Sequence, residues 1–197
     1  MSLYTFYAVL LHKIREGLAL YLPKPCDDLP EPARRDGTQI GAVGVVTDDG
    51  YFDTIFNILC AEDDPANRFG VPANFEQVIL RPHDIRIRRL QHPPGTVLSN
   101  TVVGKKRLDL QASFGTNPQK LALVVLPDGA SKWDVRSEKV FQEYAKKHAR
   151  SWYAFVNGDL QRIVGNGGLY LVTGVTKSTS WDIAAVDHSA SEGTVSL

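Results

Sequence analysis

Residues 131 to 186 carry the pattern that most constrains how this chain folds: an amphipathic helix, a glycine-rich turn and two alternating strands. Apolar side chains recur at helical spacing between Ser131 and Asn157, and charged side chains occupy the opposite face. Ser131 and Asp134 have the spacing of a capping box, and Asn157-Gly158 is a typical helix end. We therefore predict a helix over about 131–157 that packs on a sheet. Its apolar face comprises Phe141, Tyr144, Ala145, His148, Trp152, Phe155 and Val156.

Strand patterns elsewhere in the chain predict the sheet that this helix covers. Residues 97–114 alternate between apolar and polar, and residues 121–126 are almost entirely apolar, which is typical of a central strand. A further strand is predicted over 169–175, and after a turn a second strand is predicted to return beside it over 180–186. Asp48-Asp49-Gly50 separates two apolar runs and indicates a hairpin. The predicted fold class is α+β, a mostly antiparallel twisted sheet with one long helix and an N-terminal helix packed on it.

The chain has 197 residues, a length that suits a single domain. We predict one α+β domain spanning 1–197. Its predicted parts are an N-terminal helix over 4–22, a proline-rich connector over 23–39, a hairpin over 40–59, an irregular loop over 61–96, a strand-strand-helix-strand-strand core over 97–186 and a tail over 187–197.

Charge and cysteine content narrow the function classes. Lysine plus arginine and aspartate plus glutamate number 22 each, so no net charge draws the protein to nucleic acid. Cys26 and Cys60 lie in unlike surroundings, and their spacing does not decide whether they pair. No run approaches the ~20 apolar residues of a membrane span. We predict a cytoplasmic protein with reduced thiols, open to recruitment to a membrane surface.

One dense basic cluster lies in the segment 81–89, interleaved with apolar residues. One interpretation is a short edge strand with its arginines pointing outward. The other is a site for an anion or a phospholipid headgroup. The cluster consists of Arg81, Arg86, Arg88 and Arg89.

Four aromatic residues are candidates for contact with a partner. Tyr4, Phe6 and Tyr7 lie on the N-terminal helix, which either docks on the domain or binds a membrane surface or a partner. Tyr153 lies off the apolar stripe of the late helix, which favours an exposed position.

The sequence contains no motif for catalysis, a cofactor or a metal. His148 lies on an apolar face and is interpreted as a core histidine, and Cys60 as a buried small residue rather than a nucleophile. The acidic residues at 48–53 and 62–64 do not match calcium-loop spacing. The glycine-rich turn at 165–168 precedes a strand and therefore lacks the helix N-terminus that stabilises phosphate.

Several segments resemble a domain common in proteins of mushroom-forming fungi. In the second half these are 144–148, 151–158, 169–174 and Ser180-Trp181. In the first half they are 40–44, Phe52-Asp53 and Phe56-Asn57. The resemblance covers most of the chain and implies no particular activity.

A second resemblance is to gasdermin N-terminal domains. The segments that carry it are the helical stretch 6–22, the late strand 169–173 and the segment 191–197. Gasdermins bind acidic lipids and assemble β-hairpin pores. The resemblance implies that 97–126 is a membrane-inserting hairpin, and it places Lys105, Lys106 and Arg107 at the polar end of that hairpin.

These observations predict a non-enzymatic, cofactor-free module. The most concrete expectation is a gasdermin-like, pore-forming cell-death protein that binds acidic membrane lipids through the arginine cluster and Lys105, Lys106 and Arg107. The alternative is a protein-interaction or self-association domain of a larger fungal architecture, which binds another chain as a homo- or hetero-oligomer. An enzyme would need Cys60 or His148 in a cleft with a catalytic partner.

Overall fold

The structure is a computed structural model that describes residues 2–27, 29–100 and 120–187. It has an α+β fold in which three antiparallel sheets, each of three strands, are packed by helices. The helices are α1 (Leu3–His12), α2 (Glu31–Asp36) and α3 (Glu138–Ala154). The strands are β1 (Ala42–Val46), β2 (Phe52–Asn57), β3 (Ile85–His92), β4 (Thr96–Ser99), β5 (Lys120–Leu126), β6 (Ala130–Val135), β7 (Tyr170–Leu171), β8 (Gly174–Lys177) and β9 (Asp182–Asp187). The strand orders are β2-β1-β7, β3-β6-β8 and β4-β5-β9.

The hairpin β1–β2 forms where the sequence indicates it. Val46 pairs with Phe52 around the turn, and Gly50 adopts a φ of +85°, a backbone conformation that glycine tolerates without strain. A Cβ on Gly50 would also lie within 2.7 Å of the Tyr4 ring, so the N-terminal segment packs directly over this turn. The central position of β5, with β4 on one side and β9 on the other, agrees with its apolar sequence.

The long helix begins later than predicted, because residues 130–135 form strand β6. This strand lies between β3 and β8, and Ser131 and Asp134 are paired residues of its ladders rather than a helix cap. The segment alternates in character, so that Val135 is buried in the core while Asp134 lies on the opposite face. The helix α3 begins at Glu138 and ends in a π-helical turn over Phe155–Asp159.

The aromatic side of α3 builds the main core, as predicted. Phe141, Trp152, Phe155 and Val156 pack with Val43, Ile55, Phe56 and Ile58 of the first sheet region. Phe56 is fully buried and meets the Trp152 ring edge-on, with the ring centroids 5.7 Å apart. Burying each large side chain stabilises the fold by about 1.5–3 kcal/mol, so these contacts hold α3 on the sheet.

The N-terminal helix is shorter than the predicted 4–22. It ends at His12, and Arg15 and Gly17 adopt positive φ angles of 58° and 108°, which helical backbone does not permit. Its buried residues Phe6, Tyr7, Leu10 and Leu11 pack on β5 and β9, against Ala122 and Ala185. The predicted connector 23–39 is largely irregular but contains α2.

The structure changes two further expectations and describes only the start of a third. The predicted irregular loop 61–96 contains the eight-residue strand β3, and β4 begins at Thr96. The strands β8 and β9 do not pair with each other, because β8 joins β6 and β9 joins β5. The predicted strand 97–114 is described only as far as residue 100. The rest of that strand, together with the tail beyond Asp187, lies outside the described residues.

Candidate anion-binding surface

The arginine cluster lies on β3, which is an edge strand of the sheet β3-β6-β8. A 3-10 turn over Pro82–Asp84 leads into it, and Asp84 accepts a hydrogen bond from the backbone N–H of Arg81 at 2.8 Å. In the ladder, Arg86 lies opposite Asp134, and Ile87 lies opposite Trp133. Because successive strand residues point to opposite faces, over residues 85–88 Arg86 and Arg88 share one face, the basic face, and Ile85 and Ile87 share the other.

On the basic face, two arginines converge on the carboxylate of Asp134. Arg86 donates from Nε to Oδ2 at 2.9 Å and also from Nη2, and Arg88 donates from Nη2 to Oδ1 at 2.8 Å. The Asp134 side chain is 16% exposed, against 46% for Arg86 and 38% for Arg88. Burial on its own raises the pKa of Asp134, but the hydrogen bonds from both arginines outweigh it, so the net pKa is lowered. Asp134 is therefore ionised at neutral pH.

Neighbouring arginines extend this basic region. Arg81 forms an exposed ion pair with Asp84 at 3.2 Å, and that pairing lowers the pKa of the Asp84 carboxyl. Arg136, the residue after β6, donates from Nε to the carbonyl oxygen of His83 at 2.9 Å. Arg89 is exposed. We call the set the arginine surface. It comprises Arg81, Asp84, Arg86, Arg88, Arg89, Asp134 and Arg136.

The arginine surface keeps a positive charge after its internal pairing. Five guanidinium groups face two carboxylates, which leaves three net positive charges within the set. Large apolar side chains of the same segment are also exposed: Ile79 at 74%, Ile87 at 53% and Leu90 at 57%. Leu90 lies at an irregularity of β3, where it adopts a φ of 48° and the pairing register shifts. The arginine surface therefore combines positive charge with exposed aliphatic side chains of the same segment.

The remaining predicted contact residues are placed differently. Phe6 and Tyr7 are buried in the core, at 8% and 1% exposure, so they present no free surface. Tyr4 is half-buried against the turn at Gly50. Tyr153 is half-buried, and its hydroxyl accepts a hydrogen bond from the backbone N–H of Gly167 at 2.9 Å, so it holds the glycine-rich loop. Lys105, Lys106 and Arg107 lie outside the described residues.

Sequence reasoning missed Asp84, Asp134 and Arg136 as parts of this surface. Asp134 is 46 and 48 residues from the arginines that it binds, and its spacing from Ser131 predicts a helix cap instead. Polar and apolar residues alternate over 132–135, which is a local signal that could have placed Asp134 on a sheet face.

His148 is buried on α3, as its position on the apolar face predicts. Its ring stacks on Tyr144 with centroids 4.3 Å apart, and its Nε2 lies 4.0 Å from the carboxylate of Glu76. That nitrogen has no hydrogen-bond partner among the described residues, so His148 is not the fully satisfied core histidine that was expected. Burial, with a smaller contribution from Lys147, lowers its pKa, while Glu76 opposes the shift.

Cys26 and Cys60 are both free and half-buried. Burial raises the pKa of the Cys60 thiol, with Asp64 adding to the shift, which is the opposite of what an activated nucleophile requires. The acidic segments have structural partners: Asp53 binds Arg162 at 2.6 Å, and Asp64 accepts a hydrogen bond from the backbone N–H of Ala66 at 2.8 Å.

Within residues 2–27, 29–100 and 120–187, no three His, Cys, Asp or Glu side chains come together as a metal site would need. A cavity of about 40 Å³ lies between α2 and the first hairpin, lined by residues that include Leu29, Ala33, Phe52 and Pro65. It has room for a few water molecules but not for a drug-sized ligand. Among the helices of the described part, none combines the length and the apolar character needed to cross a bilayer.

We compared this chain with protein-family models, with curated proteins and with solved structures, and none of these three comparisons found a match.

Proposed function

We propose that this protein is a non-enzymatic module that associates peripherally with membranes containing acidic lipids, through the arginine surface. The observation that carries the proposal is that the arginine surface has more arginines than aspartates. Beside this excess of positive charge, Ile79, Ile87 and Leu90 of the same chain segment are exposed. Each arginine near an anionic bilayer contributes about 1 kcal/mol of attraction. Three net charges alone would thus contribute about 3 kcal/mol, which gives reversible rather than permanent attachment.

The geometry of β3 suits an edge-on approach to the bilayer. Arg86 and Arg88 lie on one face of the strand and Ile87 on the other, and both faces meet at the unpaired edge. A membrane that contacts this edge receives guanidinium groups at the headgroup level and an aliphatic side chain beside them. The strand is part of a sheet, so the groups are held in place before binding, which reduces the entropy lost on association.

Co-sedimentation with vesicles tests the proposal. Wild-type protein is expected to pellet with vesicles that contain acidic lipid, to remain in solution with phosphatidylcholine alone, and to be released by high salt. Arg89→Gln removes an exposed charge from the arginine surface and should weaken the partition coefficient about fivefold. Arg150→Gln removes an exposed charge from α3 and should leave the coefficient unchanged. No pelleting with acidic vesicles at low salt would refute the proposal.

Membrane insertion is the second step of the proposal, in line with the resemblance to gasdermins. Strands β4 and β5 lie at the two ends of the segment 97–126 and pair with each other, and Val97, Leu121 and Leu123 are buried together there. An insertion step would have to release these side chains from the sheet. Leakage of a dye from acidic vesicles measures this step separately from binding, and a protein that pellets without causing leakage would be a docking module without pore activity.

A second candidate function is recognition of another protein chain by strand addition, as the alternative interpretation of the sequence suggests. The observation that favours it is the outer edge of β3, which no other strand covers in the described sheet. Pairing two β3 strands with each other would bring their arginines together, so an acidic extended segment of a different protein fits better than a second copy. If the protein captures an acidic partner chain and acidic vesicles do not displace that partner, this function is favoured over lipid binding.

A further inference from the structure

Asp134 occupies the position at which an external anion would bind Arg86 and Arg88. The carboxylate accepts two hydrogen bonds from Arg86 and one from Arg88, so both guanidinium groups already converge on one negative charge. Two arginines directed at one point form the geometry that proteins use for phosphate groups. In this chain, the Asp134 carboxylate occupies the point at which the two arginines converge.

The internal pairing is incomplete. Each guanidinium has five N–H donors, and Asp134 takes three of the ten. Nε of Arg88 is buried and has no hydrogen-bond partner among the described residues. The Arg86 and Arg88 side chains are partly exposed, so their N–H groups that Asp134 does not engage can donate to an anion with more acceptor oxygens, and the exchange gains hydrogen bonds that the present pairing lacks.

The charge of the incoming anion decides whether that exchange is favourable. A headgroup with one negative charge replaces the Asp134 carboxylate with an equal charge, and gains little Coulomb energy. A phosphomonoester carries about −1.5 to −2 at pH 7 and offers three acceptor oxygens, so it attracts the two arginines more strongly than the carboxylate does. Its advantage must also overcome the repulsion of Asp134, which remains nearby and ionised.

We propose that Asp134 acts as a built-in competitor that makes the arginine surface selective for dianionic phosphomonoester headgroups over singly charged ones. This inference rests on the proposed function, because it names the class of acidic lipid that the same surface takes. Asp134 is a specificity-determining residue here, since it contacts the arginines rather than the lipid. Its removal is expected to strengthen binding and to abolish the discrimination at the same time.

The test compares two kinds of vesicle at matched surface potential, one with phosphatidic acid and one with phosphatidylserine in phosphatidylcholine. Wild-type protein should bind the phosphatidic acid vesicles at least about fivefold more tightly, which corresponds to one well-placed extra charge interaction at a surface. The preference should shrink as the pH falls below about 6, where the phosphomonoester loses its second charge. Equal binding to both vesicles at pH 7.5 would overturn the inference while leaving the proposed function intact. Binding to neither would overturn both.

Two variants locate the selectivity. Asp134→Asn should raise the affinity for phosphatidylserine and bring the ratio of the two affinities close to one. Asp63→Asn makes the same chemical change in an exposed loop and should leave the ratio as in the wild type. Arg86→Lys keeps the charge but loses the paired donors, so it should reduce the ratio without abolishing binding. If Asp134→Asn keeps the wild-type ratio of affinities for the two kinds of vesicle, the competitor role of Asp134 is refuted. Circular dichroism checks that each variant is folded.

Competition with inorganic phosphate distinguishes binding of a phosphomonoester that a bilayer presents from binding of the same group free in solution. If the headgroup must be presented by a bilayer, inorganic phosphate at millimolar concentration should displace little protein from phosphatidic acid vesicles. Full displacement at such concentrations would still support phosphomonoester recognition, but it would overturn the expectation that a bilayer must present the phosphate group.

Discussion

Replacing Phe56 by alanine tests whether the interface between α3 and the first sheet is the energetic centre of this fold. Phe56 is fully buried, and its ring meets Trp152, Phe155 and Phe75 at centroid distances of 5.7, 6.2 and 6.4 Å. Removing a buried phenylalanine ring costs about 3–5 kcal/mol through lost transfer energy and the cavity that remains. That range already includes the edge-on aromatic contacts, each of which contributes about 0.5–1.5 kcal/mol, so with three of them we expect a loss near its upper end, about 4–5 kcal/mol.

Urea unfolding followed by tryptophan fluorescence measures this loss. With a slope of about 2 kcal/mol per molar urea, Phe56→Ala should lower the midpoint by about 2 M without changing the slope. Phe56→Leu keeps most of the volume but removes the ring contacts, so it should cost about 1–2 kcal/mol. Ile163 is fully exposed at 102%, and Ile163→Ala should change stability by less than about 0.5 kcal/mol. A loss below about 1 kcal/mol for Phe56→Ala would refute the placement of α3 on this sheet.

Three further predictions concern buried polar groups. Asn67→Ala should cost about 1–3 kcal/mol in urea unfolding, because its side chain accepts from the backbone N–H of Asn57 at 2.7 Å and donates to the carbonyl of Ala61 at 2.6 Å. The pKa of His148 is lowered by burial, so its neutral form stabilises the fold above about pH 6.5, and this stability should fall as the pH drops from there through the folded-state pKa. His148→Gln should flatten that pH dependence of the urea midpoint, and an unchanged slope would contradict the assignment. Cys60 should react with iodoacetamide more slowly than a cysteine peptide at pH 7.5, because burial raises its pKa, and unfolding should restore the peptide rate.

Local patterns predicted the elements whose structure is decided by neighbouring residues. The hairpin around Gly50 follows from a turn that requires a positive φ, and β5 follows from a short run of apolar residues buried on both faces. The aromatic ridge from Phe141 to Val156 follows from helical spacing. In each case the sequence and the tertiary contacts favour the same local conformation, so no long-range information was needed.

The start of α3 could not be predicted in the same way, because the partner that decides it is distant in sequence. Residues 131–134 imitate a helix cap, yet they become strand because β3 pairs with them across more than forty residues. The same distance hides the counter-charge of the arginine cluster. Arg86 and Arg88 are recognisable as a basic cluster, but only the register of β3 against β6 shows that Asp134 lies between them. The sequence thus identified the arginines of the candidate surface and missed the carboxylate that pairs with two of them.

Strand β6 links the core of the protein to its proposed binding surface. Val135 points into the core beside α3, and Asp134, the preceding residue, holds Arg86 and Arg88 on the opposite face. The arginines are therefore positioned by a strand that the main core fixes, rather than by a loop. The bonds that the proposed exchange would break join side chains only, whereas β6 pairs with β3 through its backbone. We therefore expect variants of the arginine surface to lose the proposed docking through β3 while the core keeps its stability.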